Sequence, residues 1–280
     1  MNRKLLNRLN IDWAAIGESL AGSGYGLTGA LLGPEECTEL ISLYGDDANF
    51  RSQVVMERYR FGKGDYKYFR YPLPSSVQRL RESSYPHLSG IANQWRTQLG
   101  ERGGPFPDSH EEFLKGCNAA GQKLPTPLML HYQAGGYNCL HQDLYGEIAF
   151  PLQLVVMLGQ QGEDWDGGEF VLIENAPRAQ SRAQVVTVPR GHGIVFTTRY
   201  RPVRGSRGWF RVAMRHGVSR VRRGTRYTLG IIYHDAKCLR RWFSACSLAL
   251  CEPGFCSRFA LQVKTGLMST TGVRSTTSSG

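Results

Sequence analysis

Apolar and polar positions follow two different rhythms along this chain. Residues 1–44 read as two helical segments split by the glycine-rich loop AGSGYGLTGALLG. Pro34, with Glu35 and Glu36, starts the second segment. Proline's missing N–H costs nothing at a helix start, and acidic groups complement the helix dipole there. From Val54 to Tyr71, aromatic or apolar residues alternate with charges around a Gly-Lys-Gly-Asp turn, which predicts a β-hairpin. Residues 75–100 return to helical spacing, with Val77, Leu80, Ile91 and Trp95 as core candidates. A Gly/Pro loop over 103–109 and a short helix over 110–120 follow.

From Pro127 to Ala236 the rhythm shortens. PLMLHY, FPLQLVVML, GEFVLIE, AQVVTVP, GIVFTT, WFRVAMRHGV and RYTLGIIYH follow one another, separated by turns rich in Gly, Pro, Asp or Asn. Many short strands at regular spacing predict a sandwich or barrel of the jelly-roll kind. The expected organisation is mainly β with flanking helices. An N-terminal helical and hairpin region (1–126) packs on a jelly-roll core (127–236), and a divergent, poorly ordered tail (237–280) ends in low-complexity STTGVRSTTSSG.

Composition narrows the class. At 280 residues and 41% apolar, the chain can bury a sizeable core and is not disordered throughout. No apolar run approaches the ~20 residues that cross a bilayer, so no membrane partner is expected. The basic opening MNRKLLNRLN is soon followed by Asp12, Gly17 and Glu18, which argues against a signal peptide. Seven cysteines occur without a CxxC. Cys37, Cys117 and Cys139 are isolated, so we expect them reduced in or near the core, in a reducing, cytoplasmic setting. The other four lie between Cys238 and Cys256, at spacings that match no zinc pattern, and carry no assigned function. Of the net charge of +11, +5 falls in residues 237–280. Arg199 to Arg226 holds ten arginines and no acid. Such a stripe faces either a polyanion such as nucleic acid or simply water.

Three residues suggest metal chemistry. His141 and Asp143 are two apart, which on a strand turns both to one face. In WFRVAMRHGVSRV, alternation groups Phe210, Val212, Met214 and His216 on one face, with Arg211 and Arg215 on the other. His216 is therefore directed inward and can complete a triad of two imidazoles and one carboxylate, the set used by non-haem Fe(II) oxygenases. Arg226, ten residues after His216, is placed at the start of strand RYTLGIIYH, where a guanidinium can grip a carboxylate bidentately. Arg222 and Arg223 are rivals, read as loop residues. Tyr132 lies nine residues before His141 and can donate to the same carboxylate. Gly135 and Gly136 allow a tight connection that sets the Tyr132 strand beside the His141 strand.

Tyr-x-x-Gly-x5-His-x-Asp, a distal His and an Arg ten residues on together resemble the Fe(II)/2-oxoglutarate dioxygenases. The resemblance implies a double-stranded β-helix with Fe(II) held by His141, Asp143 and His216. It implies that 2-oxoglutarate is gripped by Arg226 with help from Tyr132, and that O2 is the oxidant and ascorbate a stimulant. Oxidative decarboxylation would give succinate, CO2 and hydroxylation of a substrate. FRSQVVMERYRFGKGDYKYFRYPLP and DWDGGEFVLIENAPRAQSRAQVV further resemble a bacterial 2-oxoglutarate/Fe(II) oxygenase family predicted to act on damaged nucleic acid, over roughly residues 12–236. LHQD, HGV and RY-x-L are similar to AlkB-type demethylases, which carry Asn where this chain has Leu130 and Arg where it has Ile232. The His-to-Arg interval is closer to prolyl-hydroxylase-like enzymes. In Gly191-His192-Gly193, His192 stands where relatives often have an acid, and reads as a surface residue or a substrate contact.

Three functions stay open. The arginine stripe and the run Tyr66-Lys67-Tyr68-Phe69-Arg70-Tyr71 suit an alkylated nucleic-acid base. The His-to-Arg spacing suits hydroxylation of a prolyl or other protein side chain. A non-catalytic jelly-roll binding module is the alternative outside enzymes.

Overall fold

A computed structural model describes residues 11–143 and 147–237. Among the described residues, four α-helices precede most of the sheet: α1 (Trp13–Ser23), α2 (Pro34–Leu43), α3 (Ser75–Gln98) and α4 (His110–Ala119). Their ends follow capping chemistry. Asp12 accepts from Ala15 N–H at 2.9 Å to open α1, Gly24 closes it at φ +81°, and Pro34 with Glu36 opens α2.

The strands are β1 (Tyr25–Ala30), β2 (Phe50–Val55), β3 (Gly62–Lys63), β4 (Asp65–Phe69), β5 (Gln122–Leu124), β6 (Leu128–Gln133), β7 (Tyr137–His141) and β8 (Leu152–Met157). They continue as β9 (Trp165–Gly167), β10 (Phe170–Asn175), β11 (Arg182–Val186), β12 (His192–Thr197), β13 (Tyr200–Gly205), β14 (Gly208–Val218), β15 (Val221–Ile231) and β16 (Ala236–Lys237). An eight-stranded sheet runs β1-β12-β8-β15-β6-β4-β2, with β9 also paired to β15. A six-stranded sheet runs β11-β10-β14-β7-β3, with β13 paired to β14. All these pairings are antiparallel. The chain crosses repeatedly between the two sheets, which is the double-stranded β-helix. The eight-stranded sheet draws β1, β2 and β4 from before residue 127 and β6, β8, β12 and β15 from after it.

Period-2 alternation explains why β8 is buried along its whole length. Leu152, Leu154 and Val156 turn outward and join Leu20, Val77, Leu80 and Tyr85 beneath the helices. Val155 and Met157 turn inward to meet Leu172, Val212 and Met214 of the other sheet. Each such side chain contributes about 1.5–3 kcal/mol by leaving water. Ile91 of α3, expected in the core, packs against it only partly buried.

Several expectations change. The loop AGSGYGLTGALLG contains β1, an edge strand on β12. Gly26 permits this, because a Cβ there would lie 3.0 Å from the Ile16 carbonyl of α1. Glycine marks a close approach here, not a turn. The hairpin exists as β2 and β4, but its Gly-Lys-Gly-Asp segment places β3 in the opposite sheet. Gly135 and Gly136 likewise carry the chain from β6 in one sheet to β7 in the other, so the Tyr132 and His141 strands lie in opposite sheets. Cys139 is exposed, while Cys37 and Cys117 are buried and all three are free. Phe210 is exposed near the end of the β13–β14 hairpin, beyond the overlap of the sheets. Arg222, Arg223 and Arg226 all lie within β15, not in a loop or at its start. Of the expected tail, residues 238–280 lie outside the described residues. Among the described residues, no helix is long and apolar enough to cross a membrane.

Helix α3 is tied to the end of β15 by a buried ion pair. Arg81 reaches Asp235 at 2.8 Å and donates to the carbonyls of Ile232 and Tyr233, both at 2.9 Å. Two histidines pack nearby. His110 donates to the Tyr233 carbonyl at 2.9 Å, and His234 accepts from Phe150 N–H at 3.2 Å. Burial, reinforced by Arg81, pushes His110 down to about 3 and His234 down to about 4. Both are therefore neutral in the fold at pH values where the unfolded chain protonates them. Below an unfolded value of about 6.5 the unfolded state binds more protons, so stability falls as pH falls. Urea midpoints measured from pH 7.5 to 5 should drop, with each histidine removing roughly 2 kcal/mol by pH 5. His110→Gln should make that decline shallower, and a flat profile would contradict the assignment.

Candidate active site

β7 and β14 are neighbours in the six-stranded sheet, and their register sets His141 directly opposite His216. The ring centroids are 4.2 Å apart. Asp143 lies just past β7, its backbone N–H donating to the Thr198 carbonyl at 3.3 Å. Its Oδ1 lies 3.5 Å from His141 Nε2 and its Oδ2 lies 3.3 Å from His216 Nε2. His141 Nδ1 donates to the Cys139 carbonyl at 2.7 Å, which leaves the Nε2 lone pair facing the carboxylate. Gln142 points the other way and donates to the Arg199 and Met214 carbonyls, both at 2.9 Å, pinning the segment between the two ligands. Phe196 and Phe170 wall in the His216 ring at centroid distances of 4.6 and 6.0 Å.

One ligand atom from each of His141, Asp143 and His216 lies within 4.8 Å of the others. Burial by itself would push the Asp143 carboxyl up, but the two imidazoles overcome this and hold it well below the usual carboxylate range. Burial opposes protonation of His141, but Asp143 reverses that and raises it. For His216, burial and the neighbouring His141 win, and it is lowered. Two imidazole nitrogens and a charged carboxylate, with no thiolate, fit Fe(II) and leave one side of the ion open.

The triad opens on a cavity of about 440 Å³ between the sheets. Arg226 lines it from the eight-stranded sheet, opposite Tyr132 of β6. Arg226 is 2% exposed. Its Nε has no hydrogen-bond partner, and Nη2 reaches only Met157 Sδ at 3.6 Å. No carboxylate is paired with it among the described residues. Burial pulls the guanidinium down to about 10, with Tyr132 and Glu169 opposing. Tyr132 is also fully buried, and burial raises its hydroxyl to about 12 against the pulls of Arg226 and of Asn138. The rings of Tyr132 and Trp165 lie 5.5 and 5.9 Å from the guanidinium carbon. Gly168, at φ +62°, leaves room for it, since a Cβ would stand 3.0 Å from Arg226 Cδ.

The five residues singled out from the sequence thus meet around one cavity or its wall. Their rivals do not. Arg223 pairs with Asp166 at 2.8 Å and Arg222 approaches Glu169 at 4.0 Å. His192 sits half-buried on β12 opposite Ala30 and is not among the cavity's lining residues. Elsewhere in the arginine stripe, Arg201 is buried against Glu174 at 2.7 Å and Arg211 pairs with Glu101 at 3.4 Å. The aromatic run after Asp65 forms β4, an inner strand, with Lys67 and Phe69 buried and Tyr66 facing the cavity. Two lining or flanking residues escaped sequence reasoning. Gln153 was legible as the lone polar residue in FPLQLVVML, where alternation turns it inward with Val155. Its Nε2 is buried in the cavity wall without a partner. Trp165, in a short Asp- and Gly-rich segment, gives no periodic signal.

A family of oxygenases, described as catalysing oxidative methylation of damaged DNA, matches residues 64–236. This chain belongs to that family. The oxygenase is 52% identical over 168 residues to an uncharacterized protein of Mycobacterium tuberculosis strain H37Rv, covering 60% of this chain and 72% of that protein. The same figures hold for an uncharacterized protein of strain CDC 1551. Among solved structures, a Pseudomonas putida prolyl-4-hydroxylase is similar at 14% identity and a TM-score of 0.47, covering 80% of this chain and 100% of its own. A 2-oxoglutarate/Fe(II) oxygenase from Burkholderia pseudomallei is 16% identical with a TM-score of 0.45, covering 81% and 93%.

If the triad holds the metal, the oxygenase should bind one Fe(II) per chain in anaerobic equilibrium dialysis. Asp143→Ala should retain none above background while keeping its circular dichroism spectrum. Full retention of iron by that variant would remove the triad from consideration.

Proposed function

We propose that the oxygenase uses Fe(II), 2-oxoglutarate and O2 to hydroxylate an N-alkyl group on a nucleic-acid base. The observation that carries the cosubstrate is Arg226. A guanidinium buried without a counter-ion is costly unless a ligand supplies the anion. A cavity that has a metal-type triad on one sheet and an orphaned guanidinium on the other suits a dicarboxylate that reaches from one to the other.

His141, Asp143 and His216 would hold Fe(II) from one side. Arg226 would take the distal carboxylate in a bidentate grip, and Tyr132 would donate its O–H to the same group. Met157 and Trp165 pack against Arg226 behind the cavity wall. Phe170, Phe196 and Val155 exclude water, which strengthens these charge interactions. With 2-oxoglutarate and O2, bound iron supplies the oxidising chemistry, giving succinate, CO2 and one oxygen atom inserted into a substrate C–H bond. A hydroxylated N-methyl group then leaves as formaldehyde, so such a site strips methyl groups from bases.

The choice of substrate is supported by the description of the family and by the chain's positive charge. The free thiols of Cys37, Cys117 and Cys139 support a reducing, cytoplasmic setting.

Arg226→Gln should raise KM for 2-oxoglutarate by about 10- to 100-fold, the loss expected for one charge-assisted bidentate contact. Arg226→Lys should recover little of it, because a point charge cannot reproduce the fork. Succinate formation measures both, and an unchanged KM in both variants would refute the assignment. On oligonucleotides carrying N-methylated bases, succinate and formaldehyde should appear in equal amounts. Oxygen gained by prolyl peptides, with no formaldehyde from the oligonucleotide, would shift the substrate to protein.

A further inference from the structure

We propose that the outer lip of the metal cavity, formed by residues 58–63 against β7, is the landing surface for a single unpaired nucleic-acid strand. This rests on the substrate class proposed above and adds where the strand binds and in what form.

The lip exposes aromatic surface that folding leaves uncovered. Tyr59 and Phe61 are 56% and 47% exposed, with rings stacked at 5.5 Å and 21°. Leu140 on the neighbouring strand is 44% exposed. A contiguous apolar patch on a surface marks a contact site more often than chance exposure. Arg60, Phe61 and Leu140 also line the cavity, so the patch runs from the outside into the metal site.

The lip is held in place. The Cys139 N–H donates to the Phe61 carbonyl at 2.8 Å, and Gly62 pairs with Asn138. A Cβ on Gly62 would meet the Tyr137 carbonyl at 2.3 Å, so only glycine permits this approach. Arg60 adopts the left-handed conformation at φ +59°. That costs a residue with a Cβ about 1–2 kcal/mol that glycine would not lose. That conformation closes the 3-10 turn Met56–Tyr59, with the Arg60 N–H donating to the Glu57 carbonyl at 3.3 Å, and sets its side chain at the cavity rim.

Charge selects the partner. Arg58, Arg60 and Lys63 form no ion pair among the described residues, and their one acidic neighbour in the segment, Glu57, accepts from Gly64 N–H at 3.4 Å. Aromatic faces interleaved with unpaired cations suit bases and phosphates of one strand. In a duplex the base faces are already stacked and cannot lie on Tyr59 or Phe61. An unpaired strand can stack there and turn one base into the cavity.

The test is fluorescence anisotropy with the Fe(II)- and 2-oxoglutarate-loaded enzyme under anaerobic conditions. The probes are a labelled oligonucleotide bearing one N-methylated base, its duplex, and a proline-rich peptide. We expect the single strand to bind at least 10-fold tighter than the duplex. Tyr59→Ala and Phe61→Ala should each weaken it by about 5- to 100-fold, the range for losing one stacked base. Arg58→Gln should reduce the slope of log affinity against log salt by about 0.7. Calorimetric binding of 2-oxoglutarate should be unchanged in Tyr59→Ala and weakened by about 10- to 100-fold in Arg226→Gln. Strand binding unchanged in both aromatic variants would overturn the lip while leaving the substrate class intact. Duplex binding as tight as single-strand binding would also overturn it. If the peptide binds the lip and the strand does not, while 2-oxoglutarate still binds, both the lip and the nucleic-acid reading fall.

Discussion

A guanidinium buried without a counter-ion is the constraint around which this molecule is arranged. Two arginines are fully buried, Arg226 within β15 and Arg81 against the residues that follow it, and they differ in one respect. Arg81 is satisfied by Asp235 and two backbone carbonyls, and its burial closes within the protein. Arg226 has neither a carboxylate nor a partner for its Nε. The surroundings do not relieve it. Tyr132, Trp165 and Met157 shape its pocket without neutralising it, and Gly168 yields the space it needs. Arg226 opens on the cavity, and the dicarboxylate proposed above would supply the missing anion there.

Two packed sheets give that cavity its chemistry. The six-stranded sheet carries the imidazoles through the register of β7 and β14, while the eight-stranded sheet carries Arg226 and Tyr132 through β15 and β6. Sheets packed face to face stand about 10 Å apart, so both sets of groups are held by rigid elements at a fixed separation. The helices cover the far side of the eight-stranded sheet. That leaves its inner face free to be polar at a few chosen points, Arg226, Thr228 and Gln153, without losing the outer core.

Positive charge is divided between structural and exposed uses. Arg201 is buried against Glu174, and Arg211 and Arg223 pair with acids on neighbouring segments. Of the ten stripe arginines only Arg201 and Arg226 are buried, because charges adjacent in sequence diverge once a strand alternates its faces. The cations of the cavity lip are fewer, but they neighbour exposed rings in the segment beside the His141, Asp143 and His216 cluster. Position relative to that site carries more meaning here than their number.

Alternation made much of this legible in the chain itself. Period-2 patterns marked the strands after residue 127, and His-x-Asp with an inward-facing His216 named the triad before any geometry was available. Arg226 was legible as a distance along the chain from His216. Other features were not, because they depend on contacts between distant segments. AGSGYGLTGALLG reads as a loop by its glycines, yet Gly26 is there so that a strand can lie against α1. Gly135 and Gly136 read as a turn between partners in one sheet, yet they pass the chain from one sheet to the other. Nothing local to Tyr59 and Phe61 shows that β7 will hold them at the cavity mouth. The sequence by itself determined which side chains could do chemistry and which face of a strand each would occupy, since both follow from residue type and backbone period. Tertiary structure alone decided that Arg226 would lack a counter-ion among the described residues and that the lip would open on the cavity lined by His141, Asp143 and His216, because a missing partner and a shared space exist only once the sheets have packed.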